Sequence, residues 1–293
     1  MNIDCVFSGG GIKAYAFLGS LKSINSKKYR IQRVAGTSAG AILAALLAAN
    51  YSIKEIEDML NQLEIEKLLD PPLISKYIPI TRWALLYQNK GLYKGDKLEE
   101  WLEEKLAVKG IVTFEHIKEN NLKIIISDIS LGKLIVIPDD LNKVYGIKPE
   151  HFKVATAVRM SASFPYFFMP KKLHYGKTYS YIVDGGLLSN FPLWVFNEPK
   201  LKRPILGLNL SDNVENIQPK KIKDAVDMFR ALFLAMMRAH DARYISKTKQ
   251  HHIVFIPVKD VKTLDFSLSN TDKDKLIDLG KEATDTFLKT WPK

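Results

Sequence analysis

The sequence predicts an α/β domain built on a largely parallel, covered sheet. Two observations carry that reading. Twice within the first 50 residues a short apolar run stops at a glycine turn and passes into an alanine- and leucine-rich stretch. Strands alternating with helices in this way are the signature of a parallel sheet with helices on its faces. Composition agrees: 46% hydrophobic and 26% charged residues is ordinary for a globular protein. It excludes a mainly disordered, collagen-like or coiled-coil chain.

Ile3–Phe7 is the first strand, stopped by Ser8-Gly9-Gly10-Gly11. Ala14–Leu21 reads as a helix. Ile31–Ala35 is a second strand, ending in Gly36-Thr37-Ser38-Ala39-Gly40 and running into Ala41–Ala49, which has high helix propensity. Ile53–Leu69 is an amphipathic helix closed by Pro71-Pro72. Leu73–Tyr93 is irregular, with Trp83 and several tyrosines among Lys and Arg. Lys97–Leu106 is a helix, and Leu122–Ser127 with Lys133–Ile137 form a hairpin. A helix is expected over His151–Met160, and strands over Thr178–Val183, Pro204–Leu210 and Ile253–Pro257. Ile222–Tyr244 is a long helix carrying Ile222, Val226, Phe229, Phe233, Met236 and Met237 on one face, which reads as core or as a cover over a channel, and Asp272–Thr290 is the last helix.

At 293 residues and ~150 per domain, length allows two domains or one large one. No repeat, low-complexity tract or Gly/Ser/Pro-rich linker divides the chain. It reads as one domain over 1–293, with an irregular insertion near 70–95 and C-terminal helices over 220–293. The formal net charge of +11 favours phosphate-bearing partners, among them anionic lipid. The basic residues are scattered and no recognition helix or aromatic RNA motif stands out, so nucleic acid is not expected. The single cysteine, Cys5, allows no intramolecular disulfide and reads as a core residue in a reducing compartment. The N-terminus lacks the features of a signal peptide, and the longest apolar stretch, near Ala41–Ala49, falls short of the ~20 residues that span a bilayer. The expected location is the cytoplasm, with any membrane met from the side.

Gly36-Thr37-Ser38-Ala39-Gly40 fits G-x-S-x-G between a strand and a helix. Small residues on both sides allow the tight turn and the approach of substrate, and the following helix aims its positive end at the serine oxygen. Ser8-Gly9-Gly10-Gly11-Ile12-Lys13 offers bare backbone N–H groups for an oxyanion or a phosphate, with the Lys13 charge beside them. Gly9-x-Gly11-x-x-Ala14 also fits a dinucleotide loop, but that site needs a carboxylate at the end of the next strand, and Ala35-Gly36-Thr37-Ser38 has none. Val183-Asp184-Gly185-Gly186 places a carboxylate at a strand end. For a Ser–His–Asp triad the available histidines are His240, His251 and His252. None has a turn or glycine context that would present it to Ser38, and His240, followed by Asp241 and Arg243, reads as solvated. Asp184 taking the serine proton directly is the other arrangement.

Together, Gly9-Gly10-Gly11-Ile12-Lys13, Gly36-Thr37-Ser38-Ala39-Gly40 and Asp184-Gly185-Gly186 with Asn190 and Pro192 resemble the patatin-like phospholipase family. Softer family-like stretches are Gly91–Asp96, Ser127-Asp128 and Arg159–Pro165, so the resemblance covers roughly residues 3–210. It implies a three-layer α/β/α sandwich with a mainly parallel central sheet. It also implies a Ser–Asp dyad working without histidine, metal or cofactor on ester-linked acyl lipids. Carried over residue by residue, Ser38 is the nucleophile in an elbow formed by Gly36 and Gly40, and Asp184 is the base. Gly9, Gly10 and Gly11 form the oxyanion hole, with Lys13 as a supporting charge. One departure is Ala14, where the family pattern has glycine. The expected protein is a phospholipase A or lysophospholipase that meets anionic membrane surfaces peripherally. The alternatives are a catalytically idle lipid- or partner-binding module and a His-triad esterase.

Overall fold

The computed structural model describes residues 1–72, 86, 88–196, 203–210, 222–223, 225–245, 252–258 and 268–292. The expected irregular stretch near 70–95 falls largely on residues 73–85 and 87, which lie outside the described residues, as do Lys220 and Lys221 of the basic run Lys220-Lys221-Ile222-Lys223.

Ten strands are described: β1 (Asn2–Phe7), β2 (Arg30–Thr37), β3 (Gly91–Tyr93), β4 (Leu122–Asp128), β5 (Lys133–Ile137), β6 (Tyr166–Phe168), β7 (Lys171–Tyr175), β8 (Thr178–Asp184), β9 (Ile205–Leu210) and β10 (Ile253–Ile256). The helices are α1 (Tyr15–Ser26), α2 (Ala39–Ala48), α3 (Ile53–Gln62), α4 (Asp96–Val108), α5 (Leu141–Tyr145), α6 (Val154–Ser161), α7 (Ala225–Ile245) and α8 (Asn270–Phe287). The main sheet runs β10-β9-β1-β2-β4-β8-β7, with β5 also paired to β4. β10, β9, β1, β2 and β4 are mutually parallel; β5, β8 and β7 add antiparallel pairs. β3 and β6 form a separate two-stranded parallel pair.

Strand residues alternate between two cores, as the pleat requires. Cys5 and Phe7 of β1 and Val34 of β2 join the larger core with α1, α2 and α8. Val6 and Ala35 face the other way, onto Phe191, Leu193, Phe196, Ile205 and Ile253, with Ile245 of α7 against them. The sheet is therefore covered on both faces, which accounts for apolar runs in β1 and β4 that show no wet side.

Small residues set the closest helix contact. A Cβ on Gly19 of α1 would meet the Ile277 carbonyl oxygen of α8 at 1.8 Å, and one on Gly280 would meet the Ala16 oxygen at 1.8 Å. The Ser20 hydroxyl donates to the Gly280 oxygen across the same crossing (3.1 Å).

Three elements depart from the sequence expectation. α3 opens with a capping box between Ser52 and Glu55 but ends at Gln62; Leu63 is extended, and a short 3-10 turn covers Ile65–Leu68. The Tyr15 hydroxyl donates to the Leu60 carbonyl (2.8 Å), satisfying one of the acceptors that a helix end exposes. The expected helix over His151–Met160 starts only at Val154. In α7 the apolar residues serve two faces. Phe233 is buried, with its ring 4.7 Å from Phe164, while Phe229 packs on Tyr166 (4.5 Å). Met228, Leu232 and Met236 are 52%, 58% and 50% exposed, so Met236 does not join the core. Ile222, expected on the core side, is exposed just ahead of the helix. Among the described residues no helix is long and apolar enough to cross a membrane.

Candidate active site

Sheet topology brings the three motifs together. β1 and β2 are parallel with Phe7 opposite Gly36, so the glycine loop after β1 emerges beside Ser38. On β4, Ile125 pairs with Thr37 of β2 and Ile126 pairs with Asp184 of β8. β5 occupies the other edge of β4 at these same residues. β2 and β8 therefore approach each other end to end along one edge of β4, and their last residues are neighbours.

Ser38 sits at φ 55°, ψ −124°, a left-handed conformation that a non-glycine residue rarely adopts. The turn closes only because its flanks are bare. A Cβ on Gly36 would meet the Gly40 oxygen at 2.2 Å, and a Cβ on Gly40 would meet the Ser8 oxygen at 2.5 Å. Ser161 braces the turn from α6: its hydroxyl accepts from the Ser38 N–H (2.9 Å) and donates to the Ile125 oxygen (2.6 Å). The Thr37 hydroxyl donates to the Ser189 oxygen (3.1 Å). α2 begins immediately after Ser38, with its N-terminal end at the serine.

The Asp184 carboxyl is buried, and Oδ1 accepts from the Gly186 N–H (2.7 Å). Burial raises its pKa to about 6, against smaller downward pulls from the Ser38 hydroxyl and the Gly186 N–H. The serine hydroxyl thus adjoins the carboxylate closely enough to favour its ionised form. Oδ2 itself accepts no hydrogen bond of ordinary geometry among the described residues. Catalytic contacts of this kind are commonly long before substrate binds. A Cβ on Gly185 would meet the Ile125 oxygen at 2.2 Å, so glycine is what lets β8 end against β4.

The glycine loop lies directly on the serine: a Cβ on Gly9 would stand 3.3 Å from the Ser38 Cβ. The Gly9 amide is already committed, donating to the Asn190 oxygen (3.0 Å). This corrects the expectation of Gly9 as an oxyanion donor; its contribution is the absent side chain. Among the described residues the Gly10 and Gly11 amides donate to no acceptor. The Lys13 ammonium donates to the Val258 oxygen beyond β10 (3.1 Å), which ties it across the end of the sheet. Ala14 is helical, at φ −60° and ψ −14°, where its methyl group causes no backbone strain.

The histidines lie differently. His252 precedes β10, and its Nδ1 accepts from the Trp291 indole (3.4 Å). That is the amino end of a strand parallel to β2, whereas Ser38 follows the carboxyl end of β2, so His252 is remote from the serine. His240 lies on α7 with a buried Nδ1, which corrects its reading as solvated. His251 lies outside the described residues. The sequence reading left unassigned two contributors. Ser161 stood within a family-like stretch without a role. Asp241, buried on α7, accepts from the Phe191 N–H (3.1 Å). Its signal is the spacing Phe229, Phe233, Met237, Asp241: a carboxylate at the end of a period-four apolar stripe.

Comparison with known proteins adds the family. The profile described as Patatin-like phospholipase matches residues 5–197. "Uncharacterized protein YqhO" of Bacillus subtilis (strain 168) is 45% identical over 291 residues, covering 99% of each chain. The "cGAMP-activated phospholipase" of Escherichia coli (strain TW11681) is 27% identical over 205 residues, 64% of this chain and 52% of that protein. Among solved structures, VipD from Legionella pneumophila matches with a TM-score of 0.59 at 19% identity, covering 98% of this chain and 67% of that one. The ExoU–SpcU complex of the type III secretion system of Pseudomonas aeruginosa matches with a TM-score of 0.51 at 17% identity, covering 98% of this chain and 51% of that one. At such identities the two structures speak to the fold, and both agree with the α/β sandwich described above. With a profile match that spans the glycine loop, Ser38 and Asp184 on that fold, the chain belongs to the patatin-like phospholipase family.

Proposed function

We propose that this lipid hydrolase cleaves carboxylic ester bonds of phospholipids or lysophospholipids, with Ser38 as nucleophile and Asp184 as base. The observation that carries the reading is the end-to-end meeting of β2 and β8 on β4, with bare Gly9 packed on Ser38. In the first step Ser38 Oγ attacks the ester carbonyl while its proton passes to Asp184. The Gly10 and Gly11 amides donate to the developing oxyanion; one such donor is worth about 2.7–4 kcal/mol in measured cases. Collapse breaks the ester C–O bond, and the leaving alcohol takes the proton from Asp184. Water then attacks the acyl-Ser38 ester, again giving its proton to Asp184, and the fatty acid leaves with Ser38 restored. A carboxylate with a pKa of about 6 suits this work better than an ordinary one, since it binds the serine proton more readily yet is mostly ionised at neutral pH.

An anionic membrane surface is the proposed source of substrate. Met228, Leu232 and Met236 are exposed on α7, the helix whose Met237 lies 3.7 Å from where a Gly186 Cβ would be. At the carboxyl end of β4, Ile129 and Leu131 are exposed, and Lys172 and Lys90 stand over the Tyr179 and Tyr181 rings (4.5 and 5.2 Å). Aliphatic, tyrosine and lysine side chains together suit a headgroup boundary.

The test is product analysis by mass spectrometry on a mixed phospholipid and lysophospholipid panel. Folded Ser38→Ala and Asp184→Asn should each lose hydrolysis, and a fluorophosphonate should label Ser38 in the parent protein. Full activity in either variant would sink the dyad. Failure to label Ser38 would favour an idle binding module.

A further inference from the structure

Asp241 is a buried carboxylate on a helix face otherwise given to Phe229, Phe233 and Met237. A hydrophobic residue would pack there without the desolvation that a carboxylate suffers. What the carboxylate does instead is gather N–H groups from the segment that follows Asp184. It accepts from the Phe191 N–H at 3.1 Å, and the backbone and side-chain amides of Asn190 stand close enough to favour its charged form. Asn190 in turn holds the glycine loop: its carbonyl accepts from the Gly9 N–H at 3.0 Å. Its side-chain Oδ1 fills the space beside Gly9 and Gly186, 2.4 Å and 3.2 Å from where their Cβ atoms would be. Asn190 is thus held by Asp241 on one side and holds the loop on the other. The loop lies against Ser38, so its position decides where the Gly10 and Gly11 amides point.

We propose that Asp241 is a positioning residue: through Asn190 it fixes the Gly9–Gly11 loop against Ser38, so that helix α7 sets the geometry of the oxyanion donors. The proposal rests on the Ser38 hydrolase reading for its catalytic consequence, but the mechanical link from Asp241 to Gly9 stands on the contacts alone.

The experiment compares Asp241→Asn with the parent protein by hydrogen–deuterium exchange and by kinetics on a water-soluble short-chain ester. Asparagine keeps one acceptor oxygen but turns an N–H₂ donor toward amides that already donate. Exchange should rise about tenfold in peptides over residues 8–14 and 185–192 while residues 39–48 stay unchanged. The kcat should fall about 10- to 100-fold, as expected for a small misplacement of catalytic groups, with KM within about twofold. The reciprocal pair Asn190→Asp with Asp241→Asn restores the side-chain hydrogen bond with donor and acceptor exchanged, and should recover part of the loss. A folded Asp241→Asn with unchanged exchange over 8–14 overturns the proposal, as does exchange that rises uniformly along the chain. Parent-like kcat in an active protein overturns it too. If Asp241→Asn fails to fold, Asn190→Ala breaks the same link and is read by the same peptides. A parent protein that hydrolyses nothing would sink the enzyme reading, and the exchange data would still decide the link.

Discussion

The Asp184 carboxyl gains basicity from the same burial that makes its charge unfavourable. An unfolded aspartate titrates near 3.9, and in the fold this group titrates at about 6. Between those values the folded state holds a proton that the unfolded state has lost, so stability falls as pH rises from about 4 to 6 and levels off above. Asp184→Asn should therefore melt higher than the parent protein at pH 7, by an amount equivalent to at most roughly 3 kcal/mol for a shift of about two units. The gap should close by pH 4, where the parent carboxyl is neutral. Equal melting at pH 7, measured by scanning calorimetry, would deny that this burial is costly. For catalysis by the proposed dyad the sign is opposite: kcat/KM should climb with pH through about 6 and then flatten, because in that scheme only the ionised carboxylate takes the serine proton. The three motifs that hold Ser38, Asp184 and the glycines can be picked out in the sequence because each is local, a few residues that must be small or reactive to form one turn. Ser161 and Asp241 cannot, since their partners, Ser38 and Phe191, are far away in the chain.

Elements show the same division. Strand and helix order could be read because a strand that stops at glycine before a helix is a local pattern, which β1 with α1 and β2 with α2 follow, and because the β4–β5 hairpin closes on a short Ser-Leu-Gly turn. The break in α3 could not, because Ile53 to Leu68 keeps a helical apolar period while the chain turns extended at Leu63. Nor could the two faces of α7, whose apolar residues wrap far enough to give both a core side and an exposed side. The α1–α8 crossing depends on positions that look unremarkable in sequence. Because Gly280 touches the Ala16 carbonyl directly, Gly280→Val must push the two helices apart. We expect a loss of about 2–4 kcal/mol, within the range that gross overpacking and backbone displacement produce, read as a lower denaturant midpoint. A Gly280→Val midpoint equal to that of the parent would mean the helices are not in contact there.

At the scale of the whole molecule the charge of +11 and the exposed rim act together. Binding to vesicles should strengthen with anionic lipid content and weaken as salt rises, because exposed charges are screened beyond about 10 Å at 0.1 M. Leu232→Asp should weaken binding further by placing a negative charge on the α7 surface. Co-sedimentation that is equal for neutral and anionic vesicles would remove the electrostatic part of this picture. The meeting of β2 and β8 on one edge of β4 also has a consequence for biosynthesis. A chain still leaving the ribosome displays its serine long before the strand bearing the carboxylate has been translated, and a product cut short in between carries half a reaction centre. On the proposed dyad, hydrolysis by a nascent chain is thereby deferred until the polypeptide has folded back upon itself.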